Sequence, residues 1–179
     1  MWKIAIFLVG ISRFILPFNI FSHPIFSSIA SGFLDYTDCY LAFRAGFKWQ
    51  QYHLYDKVMD YWWYIFIFLY SWNTEIRIVI LILFVYRSIG QMVALITGNE
   101  KIFLYFPNVL EKYFFLYVIS GIFPQTRNFF QGYNIIIPLF ISFVLGIHGE
   151  YMIHIQKSSL FKKGAFHKFH KWTLHGHYS

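Results

Sequence analysis

The sequence predicts an all-α integral membrane protein with six transmembrane helices and both termini in the cytoplasm. Hydrophobic residues make up 58% of the 179 residues and charged residues 13%, which is about half the charged share of a typical soluble domain. Phe (23), Tyr (14) and Trp (6) are abundant, as in chains that meet lipid and its interfaces. Apolar stretches of spanning length follow one another along the chain, and the total length suits a single domain.

The first three predicted spans lie in the N-terminal half of the chain. Residues 4–21 form the first apolar run, and residues 26–44 form the second. The stretch 45–55 is polar and aromatic, so it is interpreted as a connector. The third span is therefore expected over residues 56–73, close to the length of about 20 residues that a helix needs to cross a bilayer.

The last three predicted spans cover residues 76–97, 102–123 and 134–156. Each is a long apolar stretch bounded by polar or glycine-containing turns. The fifth is less regular than the others because it contains Pro107 and Glu111 near its start. That part is expected to lie at the membrane interface.

Basic residues near the span ends predict the orientation of the chain. An even number of spans puts both termini on one side of the membrane, together with the end of span two and the start of span three. That side collects Lys3, Arg44, Lys48, Lys57, Lys101 and the tail lysines 157, 162, 163, 168 and 171, whereas the other side has Arg77 and Arg127. The termini are therefore expected to be cytoplasmic.

The chain is expected to divide into a six-helix membrane domain, residues 1–156, and a basic, His-rich cytoplasmic tail, residues 157–179. The tail mixes lysines with aromatic residues, a composition that favours contact with anionic lipid headgroups. The net charge of +7 comes mostly from this tail and from the positive-inside bias, so nucleic-acid binding is not expected.

All four aspartates of the protein lie in one stretch of the chain. Asp35 and Asp38 are spaced i,i+3, and Asp56 and Asp60 are spaced i,i+4, so on helices each pair projects from one face. A carboxylate in a membrane span costs roughly 2.5–3.5 kcal/mol to insert, and its default interpretation is functional. Carboxylate oxygens are the ligands that hard divalent cations prefer, so the stretch predicts a site for Mg²⁺ or Mn²⁺.

The same stretch resembles the signature of the CDP-alcohol phosphatidyltransferases, D-x2-D-G-x2-A-R-x8-G-x3-D-x3-D. The match extends over about 26 of the 179 residues. Five positions agree in register: Asp35, Asp38, Ala42, Asp56 and Asp60.

Three positions depart from the signature. Cys39 replaces the first glycine, Phe43 replaces the arginine, and Tyr52 replaces the second glycine. Arg44 follows one residue late as a stand-in for the missing arginine, although one residue turns a helical side chain by about 100°. Because glycine lets a ligand approach the backbone closely, Cys39 and Tyr52 add side chains where the resemblance would put cytidine.

The resemblance implies a transferase that uses a CDP-activated lipid or alcohol as donor and an alcohol as acceptor, and that releases CMP. It implies that Asp35, Asp38 and Asp56 are metal ligands. Asp60 would complete the metal cluster and act as the general base toward the acceptor hydroxyl. The resemblance also implies that two copies of the chain pair as a homodimer within the membrane lipids.

Four further residues are candidates for substrate binding. Ala42 and Arg44 lie on or beside the alanine–arginine pair of the signature. Arg13 lies mid-span and either binds phosphate or pairs with an aspartate. Arg87, near the middle of span four, either binds a phosphate or carboxylate in a cavity or forms a structural pair with an acidic residue. Apart from these four, His148, Glu150 and His154 lie toward the cytoplasmic end of span six; they either line the acceptor pocket or are ordinary interfacial polar residues.

Two other functions remain open at this point. A relative that has lost transfer activity could still bind metal or lipid through the same aspartates. A small transporter or channel would use Asp, Arg and His residues along an ion path, which predicts carboxylates spread across the bilayer. Asp56 and Asp60 also have a simpler interpretation, since acidic residues commonly begin helices.

Overall fold

The computed structural model describes residues 1–154, apart from the side chains at positions 49, 50, 100, 153 and 154. Every regular element in this part of the chain is helical, which confirms the all-α prediction for it. Six α-helices follow in order: Trp2–Ile15 (α1), Pro24–Arg44 (α2), Trp49–Ser71 (α3), Arg77–Thr97 (α4), Val109–Ser120 (α5) and Ile136–His154 (α6). Four short 3₁₀ helices join them: Leu16–Phe21, Glu100–Leu104, Pro124–Phe130 and Gly132–Ile135. The predicted tail, residues 157–179, lies outside the described residues.

Three helical segments are long and apolar enough to cross a membrane: Trp2–Phe21, Arg77–Thr97 and Gly132–Met152. Large apolar side chains on their outer faces are exposed, as at Phe7, Ile82 and Phe140. Exposed apolar surface on this scale is typical of lipid-facing helices. The protein is therefore associated with a membrane.

Helix α3 begins earlier than the sequence predicts. It starts at Trp49, so most of the expected connector 45–55 is helical, and Asp56 and Asp60 lie well inside the helix. The backbone N–H of Lys48, the residue that precedes the helix, donates to the side-chain oxygen of Gln51 at 3.1 Å. This hydrogen bond caps the start of the helix. The interpretation of the two aspartates as helix-starting residues is therefore wrong.

Helix α5 is shorter than the predicted span 102–123. It has 12 residues, about 18 Å at 1.5 Å per residue, whereas the hydrocarbon core is about 30 Å thick. Asn108 caps it, accepting from the backbone N–H of Glu111 at 3.4 Å. Pro107 stands just before this cap and does not continue a helix, so one continuous helix over 102–123 is the wrong prediction for this segment.

The main core lies between α3, α4 and α5. It is built mostly from large buried aromatic and branched side chains: Trp63, Tyr64, Phe66, Ile67, Ile80, Leu83, Leu110, Tyr113, Phe114 and Tyr117. A smaller buried group, Ile6, Ala42 and Tyr52, joins α1, α2 and α3. The smaller group lies next to the site described below, because the Tyr52 hydroxyl is 2.8 Å from Asp38.

A polar group of three residues lies at the turn between α3 and α4. Arg127 Nε donates to Glu75 Oε1 at 3.0 Å, and Arg127 Nη2 donates to the Tyr117 hydroxyl at 2.7 Å. The Tyr117 hydroxyl in turn donates to Glu75 Oε2 at 3.1 Å. These contacts join the α3–α4 turn to the 3₁₀ helix Pro124–Phe130.

The close contact between α4 and the segment before α5 depends on Gly90. A Cβ atom at this position would lie 2.2 Å from Cβ of Phe106, so Gly90→Ala should destabilise the protein by about 1–3 kcal/mol. Gly149→Ala on α6 is the matched control, because a Cβ there meets nothing within 4 Å and alanine favours the helix by up to about 1 kcal/mol. Thermal unfolding in detergent compares them; equal effects of the two variants would contradict the close contact.

Stability should also depend on the ionisation of Glu75. Burial raises the pKa of Glu75, but hydrogen bonds from its own backbone and from Arg127 outweigh burial and hold the pKa below 4.5. A depressed folded-state pKa means that the ionised carboxylate stabilises the protein above pH 4.5 and that this stabilisation is lost as the pH falls through the folded-state value.

We therefore expect Glu75→Gln to lower the free energy of unfolding at pH 7, by less than about 1 kcal/mol because the pair is partly exposed. The difference between wild type and variant should shrink toward pH 3. Thermal unfolding across pH 3–7 measures it, and a difference that does not vary with pH would show that the ion pair contributes nothing.

Candidate functional site

The four aspartates converge on one arginine. Arg13, in the last turn of α1, forms ion pairs with Asp35 at 2.9 Å, with Asp60 at 3.2 Å and with Asp56 at 3.5 Å, and it also pairs with Asp38. The side chain of Arg13 is 5% exposed and that of Asp38 is completely buried. Two helices that are separate in sequence thus bring their carboxylates to one buried point, where α1 supplies the opposite charge.

Two more residues bind the same carboxylates. Lys57 Nζ lies 2.7 Å from Asp56 and 3.0 Å from Asp60. The Tyr52 hydroxyl lies 2.8 Å from Asp38 and 3.3 Å from Asp56. We call these seven residues the carboxylate cluster: Arg13, Asp35, Asp38, Tyr52, Asp56, Lys57 and Asp60.

Helix periodicity explains how the cluster forms. The i,i+3 and i,i+4 spacings put each aspartate pair on one helix face, and those faces of α2 and α3 turn toward α1. Ala42 is completely buried against Ile6 and Tyr52, which lets α1 approach α2 closely. Ala42, a candidate for substrate binding in the sequence, thus lies in the packing beside the cluster.

A cavity of about 270 Å³ opens beside the cluster, between α2, α3 and α5. Arg13, Asp35 and Asp60 form one wall of the cavity. The remaining wall is mixed, with serines and Gly32 from α2, aromatic residues from α3 and α5, and a charged pair from α5: Ser28, Ile29, Ser31, Gly32, Trp63, Glu111, Lys112, Phe114 and Phe115. Asp35 is the member of the cluster that reaches furthest out, with 49% of its side chain exposed.

The donor set fits a divalent cation. One carboxylate oxygen each from Asp35, Asp38 and Asp56 lies within 4.8 Å of the others, and hard oxygen ligands are what Mg²⁺ and Mn²⁺ prefer. The guanidinium of Arg13 lies among the same carboxylates, so positive charge is already stabilised at this point. The three carboxylates are thus close enough together to hold a metal ion, and the guanidinium of Arg13 already provides positive charge at the same place.

Arg87 is paired elsewhere. Its Nη1 lies 2.9 Å from Oε1 of Glu150 on α6 and donates to the backbone carbonyl of Phe106 at 2.5 Å. Both side chains are buried, and the backbone N–H of Asn108 also donates to Glu150 at 3.2 Å. Of the two sequence interpretations, the structural pair with an acidic residue accounts for these contacts, and Glu150 joins α6 to α4 rather than lining the cavity.

Arg44 also lies apart from the carboxylate cluster. Its guanidinium is 5.7 Å from the ring centre of Trp2 and 5.3 Å from that of Tyr40, and its Nε donates to the Tyr40 hydroxyl at 3.1 Å. These contacts hold it at the end of α2, near the start of α1. The one-residue shift from the motif arginine has thus turned the side chain toward an aromatic surface.

Three site residues were missed by sequence reasoning. The sequence presents Lys57 as a topological charge, although a lysine between two helical aspartates also indicates an i,i+3 ion pair. The motif comparison makes Tyr52 an obstacle to cytidine, whereas its hydroxyl bonds to the carboxylates. The polar start of span five places Glu111 at the membrane interface, and no local signal in the sequence indicates that it lines the cavity.

Comparison with protein-family models, with characterised proteins and with solved structures gives no match.

Removing the charge of Arg13 should destabilise the protein strongly. Breaking a buried ion pair from one side costs about 3–5 kcal/mol, because the remaining charges are left buried without compensation. We expect Arg13→Gln to show a loss of this size in thermal or denaturant unfolding, and Arg13→Lys, which keeps the charge, to show a smaller one. Arg44→Gln is the control and should change stability by less than about 0.5 kcal/mol; an equal loss at both arginines would contradict the central role of Arg13.

Proposed function

We propose that the protein is a divalent-cation-dependent membrane transferase that moves a substituted phosphate group from a CDP-activated donor to an alcohol acceptor and releases CMP. The observation that carries this proposal is the convergence of Asp35, Asp38, Asp56 and Asp60 on one buried point beside a cavity. The aspartate spacing, which resembles that of the CDP-alcohol phosphatidyltransferases, supports the same conclusion.

Each carboxylate has a role in this mechanism. Mg²⁺ or Mn²⁺ held by Asp35, Asp38 and Asp56 would neutralise charge on the diphosphate of the donor. Arg13, which already bridges the four carboxylates, would pair with donor phosphate oxygens from the same position. The acceptor oxygen forms a bond to phosphorus, the bond from phosphorus to the departing CMP breaks, and the hydroxyl proton passes to Asp60.

Tyr52 restrains the two aspartate pairs relative to each other. Its hydroxyl lies within hydrogen-bond distance of Asp38 on α2 and of Asp56 on α3, and its ring is buried against Ala42. A fixed spacing between carboxylates lowers the cost of organising them when charge develops on the substrate. Tyr52 therefore serves as a positioning residue where the signature has glycine.

The membrane arrangement that suits this chemistry has six crossings. In it, α2 (21 residues) and α3 (23 residues) span the bilayer, and residues 100–120 make a fifth, broken crossing. Both termini then face the cytoplasm, and the cluster is reached from that side, where a water-soluble nucleotide is available. The family resemblance further suggests that two copies of the chain pair as a homodimer.

A metal-free relative without transfer activity is the second candidate. It is favoured by a specific observation: Arg13, Lys57 and the Tyr52 hydroxyl already occupy bonding positions around the four aspartates. In such a protein the cluster would be a structural ion-pair network that joins α1, α2 and α3. The two candidates differ in whether a divalent cation binds at these aspartates.

Metal binding can be tested by thermal unfolding of the detergent-purified protein titrated with Mn²⁺. A ligand that binds only the folded state stabilises it by about 2.7 kcal/mol at 100 times its dissociation constant. We expect this stabilisation in wild type and its loss in Asp38→Asn and Asp56→Asn. Glu75→Gln, which removes a carboxylate at the other end of the bundle, is the matched control and should respond like wild type.

The transferase proposal further requires that a CDP-alcohol stabilise the Mn²⁺-loaded protein and that CMP be released when an alcohol is added. Stabilisation by Mn²⁺ without any response to a CDP-alcohol would favour a different donor or a relative that binds metal without transfer. Absence of any Mn²⁺ effect would leave the metal-free network as the function of the cluster.

A further inference from the structure

We infer that the cavity between α2, α3 and α5 binds the acceptor alcohol, that Glu111 is the residue that selects it, and that the acceptor is a headgroup-sized alcohol without a phosphate group. This inference rests on the proposed transferase function and deepens it. Its three supports are the position of Glu111, the charge of the cavity wall and the size of the cavity.

Glu111 is a fifth carboxylate that faces the cluster from a third helix. It lines the same cavity as Asp35 and Asp60. Each oxygen of Asp60 has one charged partner, Oδ1 with Arg13 at 3.2 Å and Oδ2 with Lys57 at 3.0 Å, and these partners hold Asp60 in position as the proposed base. Among the described residues, the charged partner of Glu111 is its neighbour Lys112 at 4.0 Å, at the outer limit of an ion pair, so the Glu111 carboxylate is less restrained and can contact a bound molecule.

The chemistry of Glu111 defines what it binds. An ionised carboxylate is a pure hydrogen-bond acceptor, so it pairs with hydroxyl or ammonium groups and repels anions. Lys112 lines the same cavity, and its ammonium group, a pure donor, suits a hydroxyl oxygen. Together they match a molecule that carries several hydroxyl groups, or a hydroxyl and an amine.

The charge around the cavity disfavours a phosphorylated acceptor. Counting the cluster together with Glu111 and Lys112, five carboxylates face three cations, which leaves two negative charges. A bound divalent cation would bring this balance to zero, and the donor diphosphate would then make it negative again. A phosphomonoester would add a charge of about −2 more. Two cations line the cavity, and Arg13 is already paired with Asp35 and Asp60, which leaves Lys112 to offset that charge.

The size of the cavity limits the acceptor further. At about 270 Å³ it falls below the range of about 300–1,000 Å³ that encloses drug-sized ligands. A polar headgroup alcohol fits this volume, whereas a complete lipid does not. The apolar part of the wall, with Trp63 and Phe115, suits the carbon face of a polyol.

Substrate kinetics test the role of Glu111. Transfer rates would be compared for glycerol, inositol and ethanolamine and for glycerol 3-phosphate and inositol 1-phosphate, in wild type and in Glu111→Gln. Loss of hydrogen bonds to a charged group should raise KM for the accepted alcohol by about 10-fold to 100-fold, with kcat within about threefold. Asp60→Asn should instead lower kcat, since it removes the proposed base. A phosphorylated alcohol as preferred acceptor, or an unchanged KM in Glu111→Gln, would overturn the inference.

Gly32→Leu tests the cavity without removing a charge. Gly32 lines the cavity on α2, and a Cβ atom there meets nothing within 4 Å, so leucine should fill the space and favour the helix. We expect this variant to keep its Mn²⁺ response and its stability but to lose the thermal stabilisation that glycerol, inositol or ethanolamine gives wild type.

The thermal measurement also separates this inference from the proposed function. Alcohol binding that is lost in both Glu111→Gln and Gly32→Leu supports the acceptor site even if no transfer is observed, in which case the transferase proposal alone fails. Failure of all three phosphate-free alcohols to stabilise the wild-type protein, with Mn²⁺ binding intact, overturns the acceptor site and leaves the metal site standing.

Discussion

The ion pairs of Arg13 are the interaction on which the rest of the structure depends. Four carboxylates from α2 and α3 meet at a point where Asp38 is completely buried, and burying like charges together without compensation is prohibitively costly. Arg13 solves this problem for all four because its planar guanidinium offers several donors in fixed directions. Helix α1 must therefore lie against both α2 and α3, and the relative positions of these three helices follow.

A second buried ion pair performs a similar task in the other half of the bundle. Arg87 and Glu150 join α4 to α6, and both also bond to the backbone just before α5, at Phe106 and Asn108. The ring of Phe103 connects the two regions, with Lys57 Nζ at 5.4 Å and Arg87 Cζ at 4.6 Å from its centre. A π-face between two cations reduces their mutual repulsion, and the break between α4 and α5 is what brings this ring inside.

The chemistry proposed for the site follows from an incomplete balance of charge. Arg13 and Lys57 offset two of the four negative charges of the aspartates, and Tyr52 holds Asp38 and Asp56 at a fixed separation. The remaining negative charge lies next to a cavity with mixed polar and aromatic walls. In the proposed function it would attract a divalent cation, and that cation would in turn attract the phosphate groups of the donor. An acceptor site that includes Glu111 would lie in the same cavity, on the wall formed by α5.

The sequence by itself determined the helical class, the membrane association and the facing of each aspartate pair, because these follow from composition and from the helical period. It also identified Asp35, Asp38, Asp56 and Asp60 as one set, through the motif. Only the tertiary structure decided the partners: Arg13 with the aspartates, Arg87 with Glu150, and Arg44 with Trp2 and Tyr40. Which charged residues pair depends on how helices distant in sequence pack together, and the spacing of residues within one helix does not determine that packing. The same reason hid the position of Glu111 at the cavity. The early start of α3 and the short α5 have local causes instead, the Lys48–Gln51 hydrogen bond and the Asn108 cap that follows Pro107.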